Sequence, residues 1–228
     1  MILPFALLTS TPREILVGLE TGTSGSDAPI SLPKPSGVQE GDLLIYQVSW
    51  QPPGSTAPNE PPGFSSLAVF PSGSLGQGGA GRVSAKIAGP SEPSSYQGYT
   101  NGPANDEAVL IALRGSSSSA IIGSVADEVI GGSGGNSFDV SGITAGSAGV
   151  HFVFMLIGGL DGKSYSLSSF FVQKARVSYG TGGSFDRSTI ALAAIPSAAG
   201  AKPDLTVAID SPNSNTRCRA VQIFFPVI

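Results

Sequence analysis

Short apolar runs alternate with clusters of Gly, Pro, Ser and Asn along the whole chain. That punctuation predicts β-strands joined by tight turns. In the first half, strands are expected over residues 42–50, 64–70, 82–88, 94–100 and 108–113. Tyr46, Val48 and Trp50 alternate with Gln47 and Ser49, the period of a strand with one buried face. Gly115 to Ala120 is a Ser-rich joint. Beyond it, strands are expected over 121–125, 137–140, 150–157, 167–174, 188–195, 205–209 and 220–225, with a flexible glycine loop at Gly131 to Gly135.

The two halves overlay. Glu40-Gly41-Asp42-Leu43-Leu44-Ile45 sits on Ala148-Gly149-Val150-His151-Phe152-Val153, and Ala108-Val109-Leu110-Ile111 sits on Ala220-Val221-Gln222-Ile223. Two antiparallel halves that cannot bury their apolar faces alone would close face to face. The expected fold is therefore all-β, an antiparallel two-sheet sandwich with jelly-roll-like connectivity. Two separate small sandwiches are the alternative. Residues 1–28 form an extended N-terminal arm with one strand over 14–19. Residues 29–228 form the sandwich, with pseudo-repeat halves 29–118 and 119–228.

Composition narrows the class. The 228 residues include 31 Gly and 18 Pro, which disfavour helix interiors. Only 12% of residues are charged while 40% are apolar, so the chain is folded rather than disordered. Its surface is expected to be neutral and partly covered by neighbours, which favours a homo-oligomer. The net charge is −4, with no basic run or stripe to track phosphates, so nucleic acid is not expected as a partner. No run approaches the roughly 20 apolar residues of a membrane-spanning helix, and no membrane association is expected. Met1-Ile2-Leu3-Pro4-Phe5-Ala6-Leu7-Leu8 resembles a signal h-region, but Pro4 interrupts it and no basic residue precedes it. The apolar residues Met1, Ile2, Leu3, Phe5, Leu7 and Leu8 are instead the candidate anchor on a partner.

The chemistry-bearing residues do not assemble into a local reaction centre. Gly76-x-Gly78-x-x-Gly81 matches the dinucleotide fingerprint as a string, but it runs into a strand where a helix N-terminus is required. His151, the only histidine, sits inside Val150-His151-Phe152-Val153-Phe154, on the face opposite Val150 and Phe152. It reads as a strand histidine with a satisfied hydrogen bond. Cys218, the only cysteine, lies between Arg217 and Arg219. It is either a thiolate activated by two arginines or a small strand residue. Adjacent acids at Asp106-Glu107 and Asp127-Glu128 point to opposite faces of a strand, unlike the facing carboxylates of a glycosidase. Asp210-Ser211-Pro212-Asn213-Ser214-Asn215 carries oxygen ligands yet lacks the spacing of a calcium loop. Trp50, Tyr96 and Tyr99 are candidates for stacking on a glycan. No catalytic residue, metal ligand or cofactor is assigned.

One longer pattern carries a resemblance. Its segments are Gly37-Val38-Gln39-Glu40-Gly41-Asp42-Leu43-Leu44-Ile45, Pro62-Gly63-Phe64, Ala85-Lys86-Ile87-Ala88, Glu92-Pro93-Ser94-Ser95-Tyr96 and Ala112-Leu113-Arg114-Gly115. Together they resemble a pattern of tailed-bacteriophage virion proteins of the head-decoration and minor-tail type. That pattern runs from a Gly-Asp-Leu-Leu strand through Pro-Gly-Trp, Tyr-Lys-x-Ala and Glu-Pro-x-x-Tyr to a closing Tyr-Arg-Gly. Here Phe64 replaces the Trp and Leu113 the last Tyr. The match covers residues 33–115. The resemblance implies a non-enzymatic structural protein on the virion surface, with capsid or tail proteins as partners. A glycan- or receptor-binding module of a tail fibre or adhesin, with a host surface glycan as partner, is the alternative.

Overall fold

A computed structural model of the chain describes residues 15–24, 29–51, 59–71, 80–98, 105–130, 135–158, 164–168, 171–179, 188–210, 212 and 216–228. The first half contributes β1 (Ile15–Ser24), β2 (Ser31–Pro33), β3 (Leu43–Gln51), β4 (Ser65–Phe70), β5 (Ala80–Ile87), β6 (Ser95–Gln97) and β7 (Asn105–Arg114). The second begins with β8 (Ile121–Ile122), β9 (Ala126–Ile130), β10 (Ser137–Val140), β11 (Ile143–Ala145) and β12 (Gly149–Gly158). It continues through β13 (Tyr165–Leu167), β14 (Val172–Tyr179), β15 (Ser188–Ser197), β16 (Gly200–Lys202), β17 (Leu205–Ile209) and β18 (Thr216–Pro226). Every element among the described residues is a strand, and every strand pairing is antiparallel.

Two large sheets form the body, in the orders β1-β7-β3-β5-β4 and β14-β15-β12-β18-β8, with β9 also paired to β18. Their inner faces share one core. Leu43, Ile45, Val83, Val109 and Ile111 of the first sheet pack with Val150, Phe152, Phe154, Val221 and Phe225 of the second. Smaller layers close the outer faces. The β2–β6 pair covers Leu44, Tyr46, Leu110 and Ala112 of the first sheet. On the second, β10-β17-β13 covers Val153, Met155 and Ile157, while the β11–β16 pair packs its Ile143 and Ala145 on Phe224.

This layering corrects the strand reading at residues 46–50. Gln47 and Ser49 do alternate with Tyr46, Val48 and Trp50, but all five are buried. A second sheet lies on one face and the outer layer on the other, so β3, β7, β12 and β18 lack an exposed polar face. The expected strand over 167–174 divides in two, because β13 joins β17 in the outer layer while β14 joins β15 in the sheet. The strand expected over 14–19 extends from Ile15 to Ser24 and forms an edge of the first sheet against β7.

The register shows how the halves correspond. Leu43 pairs with Leu113 on one side and Ile87 on the other; Val150 pairs with Phe225 and Pro196 in the same way. Leu43 is thus equivalent to Val150, not to His151 as the overlay has it. A one-residue slip exchanges the two faces of a strand, and the shared glycine of Gly41 and Gly149 draws the alignment into that slip. The overlay of Ala108–Ile111 on Ala220–Ile223 is in register with this equivalence.

A second correspondence lies at the free edges. The β4–β5 ladder shifts between Ser66 and Ala68, and the β14–β15 ladder shifts between Gln173 and Ala175. Both bulges oppose equivalent residue pairs, Ser84 and Val83 in one half, Ala193 and Leu192 in the other. Bulges twist an edge away from further pairing. Across the core, β1 and β7 lie against β14, and β4 lies against β18. The bulged edge strands β4 and β14 therefore lie at opposite ends of the sandwich.

Candidate functional site

The segments of the phage-like pattern converge on two clamps. Gly41 adopts φ +88°, a left-handed turn that an L side chain resists, and delivers Asp42 into the start of β3. The buried Asp42 carboxylate accepts the Gln39 amide at 2.8 Å and a bidentate pair from Arg114 Nε and Nη2, both at 2.9 Å. Arg114 Nη2 also donates to the Gly37 carbonyl at 2.9 Å. Burial alone would raise the Asp42 carboxyl; the Arg114 and Gln39 hydrogen bonds outweigh it and hold the group below its usual range. The Gly-Asp of one segment and the Arg-Gly of another are thus one structural unit.

The second clamp joins the remaining segments. Glu92 Oε2 accepts Lys86 Nζ at 2.9 Å and Tyr96 Oη at 2.7 Å, while Oε1 accepts the Gly89 amide at 2.6 Å. Lys86 Nζ lies 5.7 Å from the Phe64 ring centroid and 5.8 Å from that of Tyr96. The Phe64 ring meets Tyr96 edge-on at 5.5 Å and Tyr46 at 6.1 Å. Burial opposes ionisation of Glu92, but its three donors prevail and its carboxyl is held low. Burial and the Glu92 carboxylate together push the Tyr96 phenol up.

The glycan candidates are not displayed. Trp50 is 4% exposed and Tyr96 3%, the latter inside the packed layer that the β2–β6 pair closes. Sugar stacking requires an open ring face, so these two assignments are corrected; Tyr99 lies outside the described residues. The anchor candidates Met1, Ile2, Leu3, Phe5, Leu7 and Leu8 also lie outside them.

Cys218 faces the outer core of the second sheet with Val153 and Met155, while Arg217 and Arg219 project from the opposite face. Burial pushes its thiol up to about 12, the reverse of activation. Arg217 instead holds Asp127 through bonds of 2.7 and 2.6 Å, and Arg219 Nε lies 3.3 Å from the same carboxylate. Asp127 and Glu128 separate as expected, the former bonded to arginine and the latter exposed. Glu107 is buried and accepts the Ser49 hydroxyl; Asp106 has no described side chain.

Beyond Gly76 and Gly78, which lie outside the described residues, the glycine-rich string ends in a strand. Gly81 lies in β5, where an added Cβ would come within 3.0 Å of the Val48 carbonyl oxygen and of Leu156. The dinucleotide reading therefore has no helix to start. Among the described residues, no group of three or more His, Cys, Asp or Glu could hold a metal ion. Asp210 is described, but Ser211 and Asn213 to Asn215 are not. No helix among the described residues is long and apolar enough to cross a membrane. A surface groove of about 340 Å³ runs along β4 and β5 to Ser118, lined by Gly63, Ser65, Leu67, Ala85, Lys86 and Ile87. Lys86, its one ionisable lining residue, is bound to Glu92.

His151 lies on the outer face of its sheet, as alternation predicts, and is 4% exposed. Its ring meets Phe171 edge-on at 5.0 Å and lies 6.4 Å from Phe224. Burial pulls the imidazole down to about 4, aided by the Lys202 charge and opposed by Gln222. The expected satisfied hydrogen bond is corrected in part: Nε2 has no partner in this enclosed site. Sequence reasoning gave no site role to Gln47, Lys202 or Gln222 and weighed Glu107 only as half of an adjacent acid pair. The available signal was a polar residue inside or beside an apolar run.

Comparison with protein-family models, curated proteins and solved structures returns no match.

Proposed function

We propose that this chain is a non-enzymatic structural protein of a bacteriophage particle, a capsid decoration (cement) or tail-surface accessory protein anchored by its N-terminal arm. One observation carries the reading. Every ionisable side chain of the phage-like segments that is tied into the clamps, Asp42, Lys86, Glu92 and Arg114, closes a turn onto a strand. The pattern that resembles virion proteins is thus a scaffold pattern, with its charges used inside the fold. Partners in this reading are major capsid or tail proteins and further copies of the chain. Nucleic acid, membrane and cofactor have no part in it.

The glycan-binding alternative loses support from the enclosed rings of Trp50 and Tyr96. Quantitative mass spectrometry of purified particles tests the proposal. Hundreds of copies per particle support head decoration, and a handful support a tail position. Complete absence overturns the virion assignment. Deletion of residues 1–12 should abolish particle association while leaving the β fold intact; unchanged association would remove the anchor.

A further inference from the structure

The duplication supplies an internal control for the outer face of the second sheet. By register, Leu44 is equivalent to His151, Leu110 to Gln222 and Ala112 to Phe224. Leu44, Leu110 and Ala112 form an apolar layer under the β2–β6 pair. The same fold therefore tolerates an all-apolar solution here. Its second half places an imidazole and an amide at the matching positions, with the Lys202 ammonium beside them.

The amide and the ammonium hold the β11–β16 pair and its flanks, and the imidazole lies beside them against Phe224. Gln222 Nε2 donates to the Val140 carbonyl at 3.0 Å, just before β11, and to the Pro203 carbonyl at 3.2 Å, just after β16. Lys202, 9% exposed, donates to the Ala198 carbonyl and lies 5.5 Å from the Phe224 ring centroid. Lys202 has no carboxylate partner among the described residues. His151 Nε2 and Gln222 Oε1 are buried without hydrogen-bond partners. Apolar support is small, confined to Ile121, Ile143, Ala145 and Phe224.

We propose that His151, Gln222 and Lys202 form an acid-sensitive latch that holds the β11–β16 lid on the second sheet. Neutral His151 fits the closed lid. A proton on it places a second cation beside Lys202, with no carboxylate partner for either among the described residues. Among the described residues, the neighbouring elements supply no carboxylate at this site: β11 and β17 carry no ionisable residue, β14 carries the cations Lys174 and Arg176, and Tyr165 of β13 donates its hydroxyl to Gln173. Asp139 of β10 is exposed and accepts the Thr206 hydroxyl at 2.7 Å, and exposed Asp204 accepts the Gly142 amide at 2.8 Å. Phe171 and Phe224 complete the wall. Charging His151 therefore favours the open lid, in which the imidazole regains water.

Hydrogen exchange of the full chain tests this, followed by mass spectrometry and corrected for intrinsic rates between pH 7 and pH 4. The lid amides of β11 and β16 should open on the order of 10²-fold more at pH 4. Those of β10 and β17 should keep their protection, separating lid release from global acid unfolding. His151→Leu, which restores the residue of the equivalent position, should remove the pH dependence at the lid. A pH-independent lid in the unaltered protein, or an undiminished response in His151→Leu, overturns the proposal. Should that variant fail to fold, NMR titration of the His151 ring decides. A midpoint near 4 that coincides with lid opening supports the latch; titration near the ordinary value of about 6.5 with the lid closed overturns it.

Discussion

The side-chain amide of Gln47 crosses the sandwich. From the inner face of the first sheet its Nε2 donates to the backbone carbonyl of Met155 in the second, at 2.8 Å and fully buried. The equivalent position in the second half is Phe154, so the pseudo-symmetry breaks here and the bond is made once. Gln47 Oε1 has no partner in the same core, which offsets part of the gain. Gln47→Ala loses the bond and leaves a cavity, with an expected cost of about 2–4 kcal/mol. Gln47→Met fills the volume and also removes the unpaired oxygen, and should cost less than about 1.5 kcal/mol. Urea denaturation of the two variants checks the difference. Equal losses would show that the hydrogen bond, and not packing, dominates at this position.

Asp42 predicts an acid limb in the stability profile. Its carboxyl titrates lower in the folded chain than in the unfolded one. The unfolded chain therefore takes up the proton first as pH falls. The stabilisation is complete above the unfolded value near 3.8 and disappears as pH drops through the lower folded value. Asp42→Asn should be less stable than the parent at pH 7, and the difference should shrink as pH falls below about 3.8. Thermal melts across that range would count against the assignment if the difference stayed constant.

Glu92 is the hub of the second clamp, and its loss strands three donors. Lys86 can turn to water, but the Tyr96 hydroxyl and the Gly89 amide have less freedom. Glu92→Ala should therefore destabilise the fold by roughly 2–3 kcal/mol. Tyr96→Phe removes one bond while keeping the ring against Phe64, and should cost about 1 kcal/mol. A double-mutant cycle measures the coupling. Additive losses would show that the pair acts independently.

One shared core predicts one transition. Phe152, Phe154 and Phe225 of the second half pack with Val83, Val109 and Ile111 of the first, so neither half keeps a closed interior without the other. Calorimetry should give a single endotherm whose calorimetric and van't Hoff enthalpies agree. Two resolved transitions would mean that the halves unfold separately despite the packing between them.

The sequence was most legible where a strand is buried on one face only. The strands over 137–140 and 205–209 end where alternation places them, because they form an outer layer in which buried positions alternate with exposed or half-buried ones. The central strands were visible as apolar runs, but burial on both faces erases the alternation that marks a side. That is why the overlay slipped by one residue at Leu43 and why Gln47 and Ser49 read as solvent-facing. Three-residue strands such as β2, β11 and β16 are too short to show a period at all. The clamps were legible as turns, not as pairs. Asp42 and Arg114 stand 72 positions apart, and only the fold brings them together. The latch had no local signature, since its residues come from β12, β16 and β18.

Cys218 offers a direct probe of whether the second sheet opens. Its thiol is fully buried among Val153, Met155 and Ala220. Burial raises the thiol to about 12, so little thiolate is present at neutral pH while the core is closed. A maleimide reagent should therefore modify the native protein at least about 100-fold more slowly than the urea-unfolded chain. The rate should also follow global unfolding rather than lid opening, because the β10-β17-β13 layer, not the β11–β16 pair, covers this residue. Pulse labelling at the pH where the lid amides exchange freely, with the rate scaled to that of the urea-unfolded chain at the same pH, separates the two events. Unchanged slow labelling in the pulse is expected. Rapid labelling of the protein held at neutral pH would show that the outer layer over Cys218 is open in the native state.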